Sequence, residues 1–220
     1  SDGVNRGVLE AHENGIVTSA SLMVRYPAAA PAAEFAQAAR ALCVGLHFEA
    51  AEWRFRAGEW YPAYEVIDTD DPRQVAEELE RQLATFERLM QCAPTHLDSH
   101  QHVHQNEPAQ SILRAAAERL RVPLRGFSPL VRYEGGFYGQ TDEGAPFPAG
   151  VSRDALGSMI EKLEPGWTEF GCHPGYKAAL DSTYLLEREQ ELRVLCAPDV
   201  REQLARCGVQ LRSFRDLRRD

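Results

Sequence analysis

The chain has 220 residues, of which 44% are hydrophobic and 26% charged, and it carries a formal net charge of -9. That length and balance fit a single globular domain of ordinary core size, and the negative charge argues against nucleic acid or an anionic membrane surface as partner. No apolar run approaches the roughly 20 residues that span a bilayer, and residues 1–6 are polar, without a signal-peptide pattern. Five widely spaced cysteines include no Cys-x-x-Cys pair, so a disulfide framework is not expected. The reading is a reducing, cytoplasmic compartment with most thiols buried as small hydrophobes.

In chain order, residues 4–14 read as a helix stopped at Gly15, and the β-branched run 16–24 as a buried strand. An Ala-rich helix follows over 28–42, then a short apolar strand, Cys43–Phe48, with His47 near its end. Residues 49–71 lack clear periodicity and read as a long loop. Asp71-Pro72 opens a helix to about Gln91, with Val75, Leu79, Leu83, Phe86 and Leu89 at helical spacing. A strand over 94–99, a helix over Ala109–Leu120 and a strand over 122–125 come next. A Gly- and Pro-rich loop spans 127–150. A helix at 153–163, a strand at 167–172, two helical stretches after Thr183 and a strand at 209–211 complete the chain.

Strand and helix alternate, which argues for a parallel sheet with right-handed crossovers. About six strands are expected, fewer than in a full barrel. An incomplete (β/α) barrel, TIM-barrel-like, is the first choice and an open doubly wound sheet the second. No Gly-x-Gly-x-x-Gly or Walker loop follows a strand, which weakens a nucleotide-binding reading.

The chemistry concentrates in Thr95-His96-Leu97-Asp98-Ser99-His100-Gln101-His102-Val103-His104. On an extended backbone these four histidines and Asp98 would share one face, an arrangement no core favours unless something binds there. His47 lies near the end of a second strand and His173 just beyond a third. Ligands gather at the carboxyl ends of parallel strands, so the three strand ends are expected to point at one rim. Imidazoles suit zinc and similar ions, which make a hydrolytic water available near neutrality. No Gly-x-Ser-x-Gly elbow supports a serine nucleophile. His12, on the first helix, reads as a surface or helix-packing residue.

Several stretches together resemble the YdjC-like carbohydrate deacetylase family. They are residues 15–24, Val44-Gly45-Leu46-His47, Pro94 through His104, His173-Pro174-Gly175, and the closing segment from Arg188 through Leu211. The resemblance covers essentially the whole chain. It implies an incomplete barrel that deacetylates small N-acetylated carbohydrates using one divalent metal ion (Mg2+ or Zn2+). By motif, His47 and His100 match the metal histidines, His173 a site histidine able to protonate the leaving amine, and Arg125 a substrate-binding arginine. Asp98 is expected either to orient a metal-binding histidine or to bond local backbone.

Family members usually begin with a strand ending Asn-Ala-Asp-Asp-Phe-Gly, whose carboxylates supply a metal ligand and the general base. The chain begins just after the matching point, so it is expected to lack that first strand. A homo-oligomer is compatible with this reading. Two rivals stay open: another metal hydrolase such as a phosphoesterase, and a non-catalytic sugar- or metal-binding member whose aromatics Trp53, Trp60, Tyr61, Phe137 and Tyr138 line long loops.

Overall fold

The computed structural model describes residues 1–177 and 182–218. The elements, in chain order, are α1 (Asp2–Glu13), β1 (Ser19–Leu22), α2 (Ala29–Ala38), β2 (Cys43–Phe48), β3 (Ala51–Arg56) and β4 (Glu59–Glu65). There follow α3 (Pro72–Met90), β5 (Leu97–Ser99), α4 (Ala109–Leu120), β6 (Val131–Glu134), α5 (Arg153–Glu161), β7 (Trp167–Phe170), α6 (Leu186–Leu195) and α7 (Pro198–Arg206). They fall into two compact units: Ser1–Thr18 with Pro129–Ser213, and Ser19–Ser128 with Phe214–Asp220.

The second of these units is built on a parallel sheet of order β1-β2-β5, the arrangement that strand–helix alternation calls for. Its central strand β2 is apolar and almost wholly buried, as a strand covered on both faces should be. Helix α3 begins where Asp71 accepts hydrogen bonds from the main-chain N–H groups of Arg73 and Gln74, with Pro72 in the first turn. Its stripe Val75, Leu79, Leu83 and Phe86 is buried, each side chain contributing about 1.5–3 kcal/mol. The helix packs against β2, α2 and α4.

Residues 49–71 are not simply a loop: β3 and β4 form an antiparallel hairpin there. Arg56 pairs with Glu59 across the two-residue turn Ala57-Gly58, both at positive φ (57° and 87°), as a type I′ turn requires. The polar–aromatic alternation of Glu52 to Arg56 was the signal for it. Residues 122–125 make only a single parallel bridge, Leu97 to Leu124. Leu97 N–H donates to Pro123 O and Arg125 N–H to Leu97 O, but Pro123 has no N–H with which to extend the ladder.

In the first unit, Ser1 caps α1, its hydroxyl accepting from Val4 N–H at 3.4 Å. His12 has a packing task, its Nδ1 donating to Val17 O at 2.8 Å. Helix α1 packs on α6, and α5 on α7. The segment 127–150 contains a strand after all: β6 pairs in parallel with β7, Val131 opposite Trp167. Val131-Arg132-Tyr133-Glu134, between a proline and two glycines, carried that signal. The strand expected at 209–211 is absent. Val209 N–H instead bonds Leu204 O, closing α7 behind Gly208, which sits at φ 67°.

The cysteines also depart from expectation. None of the five is held in a disulfide, but only Cys43 is buried, while Cys92 and Cys207 are exposed. No helix among the described residues is long and apolar enough to cross a membrane.

Candidate functional site

Sheet register builds the first cluster. His47 on β2 lies opposite Asp98 on β5, and paired residues of neighbouring strands point to the same face. His47 Nδ1 therefore donates to Asp98 Oδ1 at 2.7 Å. Ser21 on β1 donates its hydroxyl to Asp98 Oδ2 at 2.8 Å, and Arg125 Nη2 pairs with the same oxygen at 2.7 Å. Asp98 is fully buried. Burial would push its carboxyl up, yet His47 and Arg125 outweigh that and hold it well below the usual carboxylate range.

His96 lies beneath this cluster. It is 3% exposed, stacks on Phe214 at 4.0 Å between centroids, and its Nε2 meets the Ser21 hydroxyl at 3.0 Å. Burial lowers it to about 4, so it is neutral near pH 7. Gly45 makes room for it: a Cβ there would lie 2.7 Å from the imidazole ring and 2.5 Å from the His96 carbonyl oxygen.

Alternation carries the face no further than His100. A 3-10 turn spans His100–Gln105, and Gln101 and His102 adopt positive φ, 48° and 55°. The expectation of four histidines on one face is thereby corrected. His104, fully buried, turns away to bond the Ser99 hydroxyl at 2.5 Å, and Ser99 belongs to the opposite face of β5. His100 stays with the cluster, its ring 5.7 Å from that of His47 at 69°.

His100 also has a carboxylate partner that the sequence reading missed. Its Nε2 donates to Glu52 Oε2 at 2.5 Å, and Glu52 comes from the hairpin strand β3. Two glutamines fix that strand. Buried Gln82 bonds both the main-chain N–H and C=O of Glu49, at 3.0 and 2.7 Å. Gln101 does the same for Trp53, at 2.8 and 2.7 Å.

The residues can be tested for a divalent ion. His47 commits Nδ1 to Asp98 and His100 commits Nε2 to Glu52, which leaves Nε2 and Nδ1, respectively, outside those bonds. Carboxylate-backed imidazoles are a recurrent way of fixing metal-binding rings, so the pair fits as two nitrogen ligands. Among the described residues no group of three or more His, Cys, Asp or Glu side chains forms that could hold a metal ion.

The second cluster lies in the other unit. His173 follows β7 by three residues, and its side chain is 44% exposed. Its main-chain N–H donates to Glu191 Oε2, and the Tyr184 hydroxyl donates to Glu191 Oε1. Tyr138 and Tyr184 stack at 4.8 Å and each lies 5.5 Å from the His173 ring. Burial pushes Glu191 up to about 7, although the two donors pull it down. Nothing in the sequence pattern set Glu191 apart from its charged neighbours on α6.

Parallel strands joined by helices, with carboxylate-backed histidines at a strand end, define an α/β protein with a histidine-rich polar site. The YdjC-like protein family model matches residues 1–206, and the chain belongs to that family. A carbohydrate deacetylase of Geobacillus stearothermophilus is 35% identical, the match covering 98% of the chain and 93% of the relative. A chitooligosaccharide deacetylase of Serratia marcescens is 32% identical, at 99% and 94% coverage.

Among solved structures, an Enterococcus faecalis protein named for cellobiose-phosphate cleavage superposes with a TM-score of 0.79 at 22% identity, covering 99% of the chain and 94% of its own. A family 4 carbohydrate esterase from Streptomyces lividans superposes at 0.54 and 13% identity, covering 94% and 84%. The fold class is therefore α/β of the incomplete (β/α)-barrel type, with fewer than eight strands among the described residues.

Proposed function

We propose that the chain is a metal-dependent hydrolase that removes N-acetyl groups from small N-acetylated sugars, with His47 and His100 holding Mg2+ or Zn2+. The observation that carries it is a pair of neighbouring imidazoles, each backed by a carboxylate. Membership of the family and relatives named as carbohydrate and chitooligosaccharide deacetylases supply the reaction class.

When bound, a divalent ion supplies Lewis-acid polarisation of the acetamide carbonyl and a water of lowered pKa. The chain's own residues do the rest. Asp98 keeps the His47 proton on Nδ1 and fixes the plane of its ring. Glu52 does the same for His100 from the opposite ring nitrogen. Arg125 holds Asp98 in its charged form, and any contact it makes with substrate is additional to that pairing. His173 supplies a proton to the departing sugar amine, its main chain anchored by Glu191 and its ring flanked by two tyrosines.

Metal analysis and acetate release from N-acetylglucosamine oligosaccharides test this reading. His47→Ala and His100→Ala should each abolish stoichiometric metal and acetate release. Full metal and activity in both single variants would refute the assignment.

A further inference from the structure

His96 takes no part in the proposed reaction, yet the fold keeps an imidazole there at 3% exposure. A polar ring so deeply buried forfeits its hydration unless its nitrogens find partners. Both do: Nδ1 meets the Thr95 hydroxyl at 2.9 Å and Nε2 meets the Ser21 hydroxyl at 3.0 Å. The bare backbone of Gly45 and the ring of Phe214, stacked at 4.0 Å and 25°, fix the plane of the imidazole.

The number of protons available decides which way these bonds run. Neutral near pH 7, the ring carries a single N–H. The Ser21 hydroxyl also has one proton, and it goes to Asp98 Oδ2 at 2.8 Å. A bond to an ionised group is roughly twice as strong as a neutral one, so the carboxylate is the preferred acceptor. Ser21 Oγ must then accept from His96, which places the imidazole proton on Nε2. Nδ1 is left as an acceptor, and the Thr95 hydroxyl supplies its proton. Val44 O also lies within reach of that hydroxyl, at 3.0 Å, but it already accepts from the Thr95 main-chain N–H at 3.0 Å. The row Thr95, His96, Ser21 therefore donates at every step towards Asp98, whose other oxygen receives His47 Nδ1.

We infer that His96 is a positioning residue: with its proton on Nε2 it holds the Ser21 hydroxyl as a donor to Asp98, and Asp98 in turn fixes the His47 ring. Without that N–H the hydroxyl is free to turn away, and Asp98 loses one of its donors. The role of His47 rests on the proposed metal reading, whereas the direction of the row does not.

Nitrogen chemical shifts of the histidine rings, measured on the metal-free protein, read the tautomer, because protonated and bare ring nitrogens resonate far apart. His96 should carry its proton on Nε2. Ser21→Ala removes the acceptor and should move that proton to Nδ1, where Thr95 Oγ1 accepts it and turns its own proton to Val44 O. Competition for Zn2+ with a chromophoric chelator reads the effect on the site. His96→Phe keeps the ring stack without the nitrogens and should weaken Zn2+ binding about tenfold, the usual order for losing an outer partner of a metal ligand. His96→Gln, whose amide replaces the Nε2–H, should recover most of that loss. Because His96 acts through Ser21, adding His96→Phe to Ser21→Ala should cost little more than Ser21→Ala alone.

A wild-type proton on Nδ1, a tautomer unmoved by Ser21→Ala, unchanged Zn2+ affinity in His96→Phe, no recovery by His96→Gln, or losses that add in the double variant would each overturn the inference. A wild-type protein that binds no Zn2+ removes the metal reading, and the tautomers then decide the inference alone. The expected tautomers and Zn2+ affinities without acetate release leave His96 its role and remove the deacetylase reading.

Discussion

Two buried carboxylates, Asp98 and Glu191, each stand behind a histidine, and their carboxyl groups are shifted in opposite directions. Asp98 has Arg125 at 2.7 Å, His47 at 2.7 Å and the Ser21 hydroxyl at 2.8 Å, and its charge is stabilised despite complete burial. Glu191 is as deeply buried, but its two donors, a main-chain N–H and a tyrosine hydroxyl, are neutral, and even with the field of Arg188 its carboxyl is raised to about 7. A guanidinium and an imidazole in direct contact therefore weigh more on a buried carboxyl than neutral donors do. The difference suits the proposed tasks. A histidine that binds metal needs a permanently charged backing group, whereas one that delivers a proton needs positioning without a strong field holding the proton in place.

The largest effect expected from breaking this contrast falls on turnover. His173→Ala should lower acetate release by about 10²–10⁴, the usual contribution of general acid catalysis, while metal content stays level. A stable variant that has lost its metal would instead make His173 a ligand.

Asp98→Asn comes next. It removes the charge that Asp98 sets against the Arg125 guanidinium, whose side chain is only 14% exposed. Removing one partner of a buried pair costs about 3–5 kcal/mol, measurable by urea denaturation. A loss below about 1 kcal/mol would show that the pair does not hold the sheet end together.

Glu191 should show the opposite behaviour. Its folded carboxyl binds a proton more tightly than the ordinary value of 4.5, so the folded state holds more protons than the unfolded chain between there and about 7. Its contribution is present at low pH, declines as pH rises through that window and levels off above it. The swing is on the order of 2 kcal/mol, and Glu191→Gln should flatten it in a series of melts across pH. An unchanged slope would place the titration elsewhere.

The smallest effect concerns the hairpin. Gln101→Ala removes two solvent-accessible hydrogen bonds to Trp53 and should cost about 1 kcal/mol globally. Amide exchange at Trp53 N–H should rise well beyond that global loss, and equal changes everywhere would mean that the clamp is not local.

Much of this was legible in the sequence, for identifiable reasons. Cys43–Phe48 and Ala109–Leu120 have the same bounds in the structure as in the sequence reading, because an uninterrupted apolar strand and a cleanly periodic helix leave no competing pattern. His47, Asp98 and His100 come together because a two-residue period does hold up to the end of β5. It fails at Gln101 and His102, where left-handed backbone follows and no glycine announces the change. Glu52 and Glu191 were invisible for a different reason. Each matters through a contact distant in sequence, 48 and 18 residues from its histidine, and local patterning carries no record of such pairs.

The Gln101 clamp has one more consequence. It grips residue 53 only through main-chain atoms, so the side chain at that position is not needed to hold the strand in place. Every residue of β4 is likewise exposed, and Tyr64 reaches inward only with its hydroxyl, which donates to buried Glu49. Selection can therefore rewrite the exposed positions of the hairpin, one residue at a time, so long as Glu52 keeps its bond to His100 and Tyr64 its bond to Glu49. Apart from those two residues the hairpin is a replaceable part, where changes can accumulate at little cost to folding.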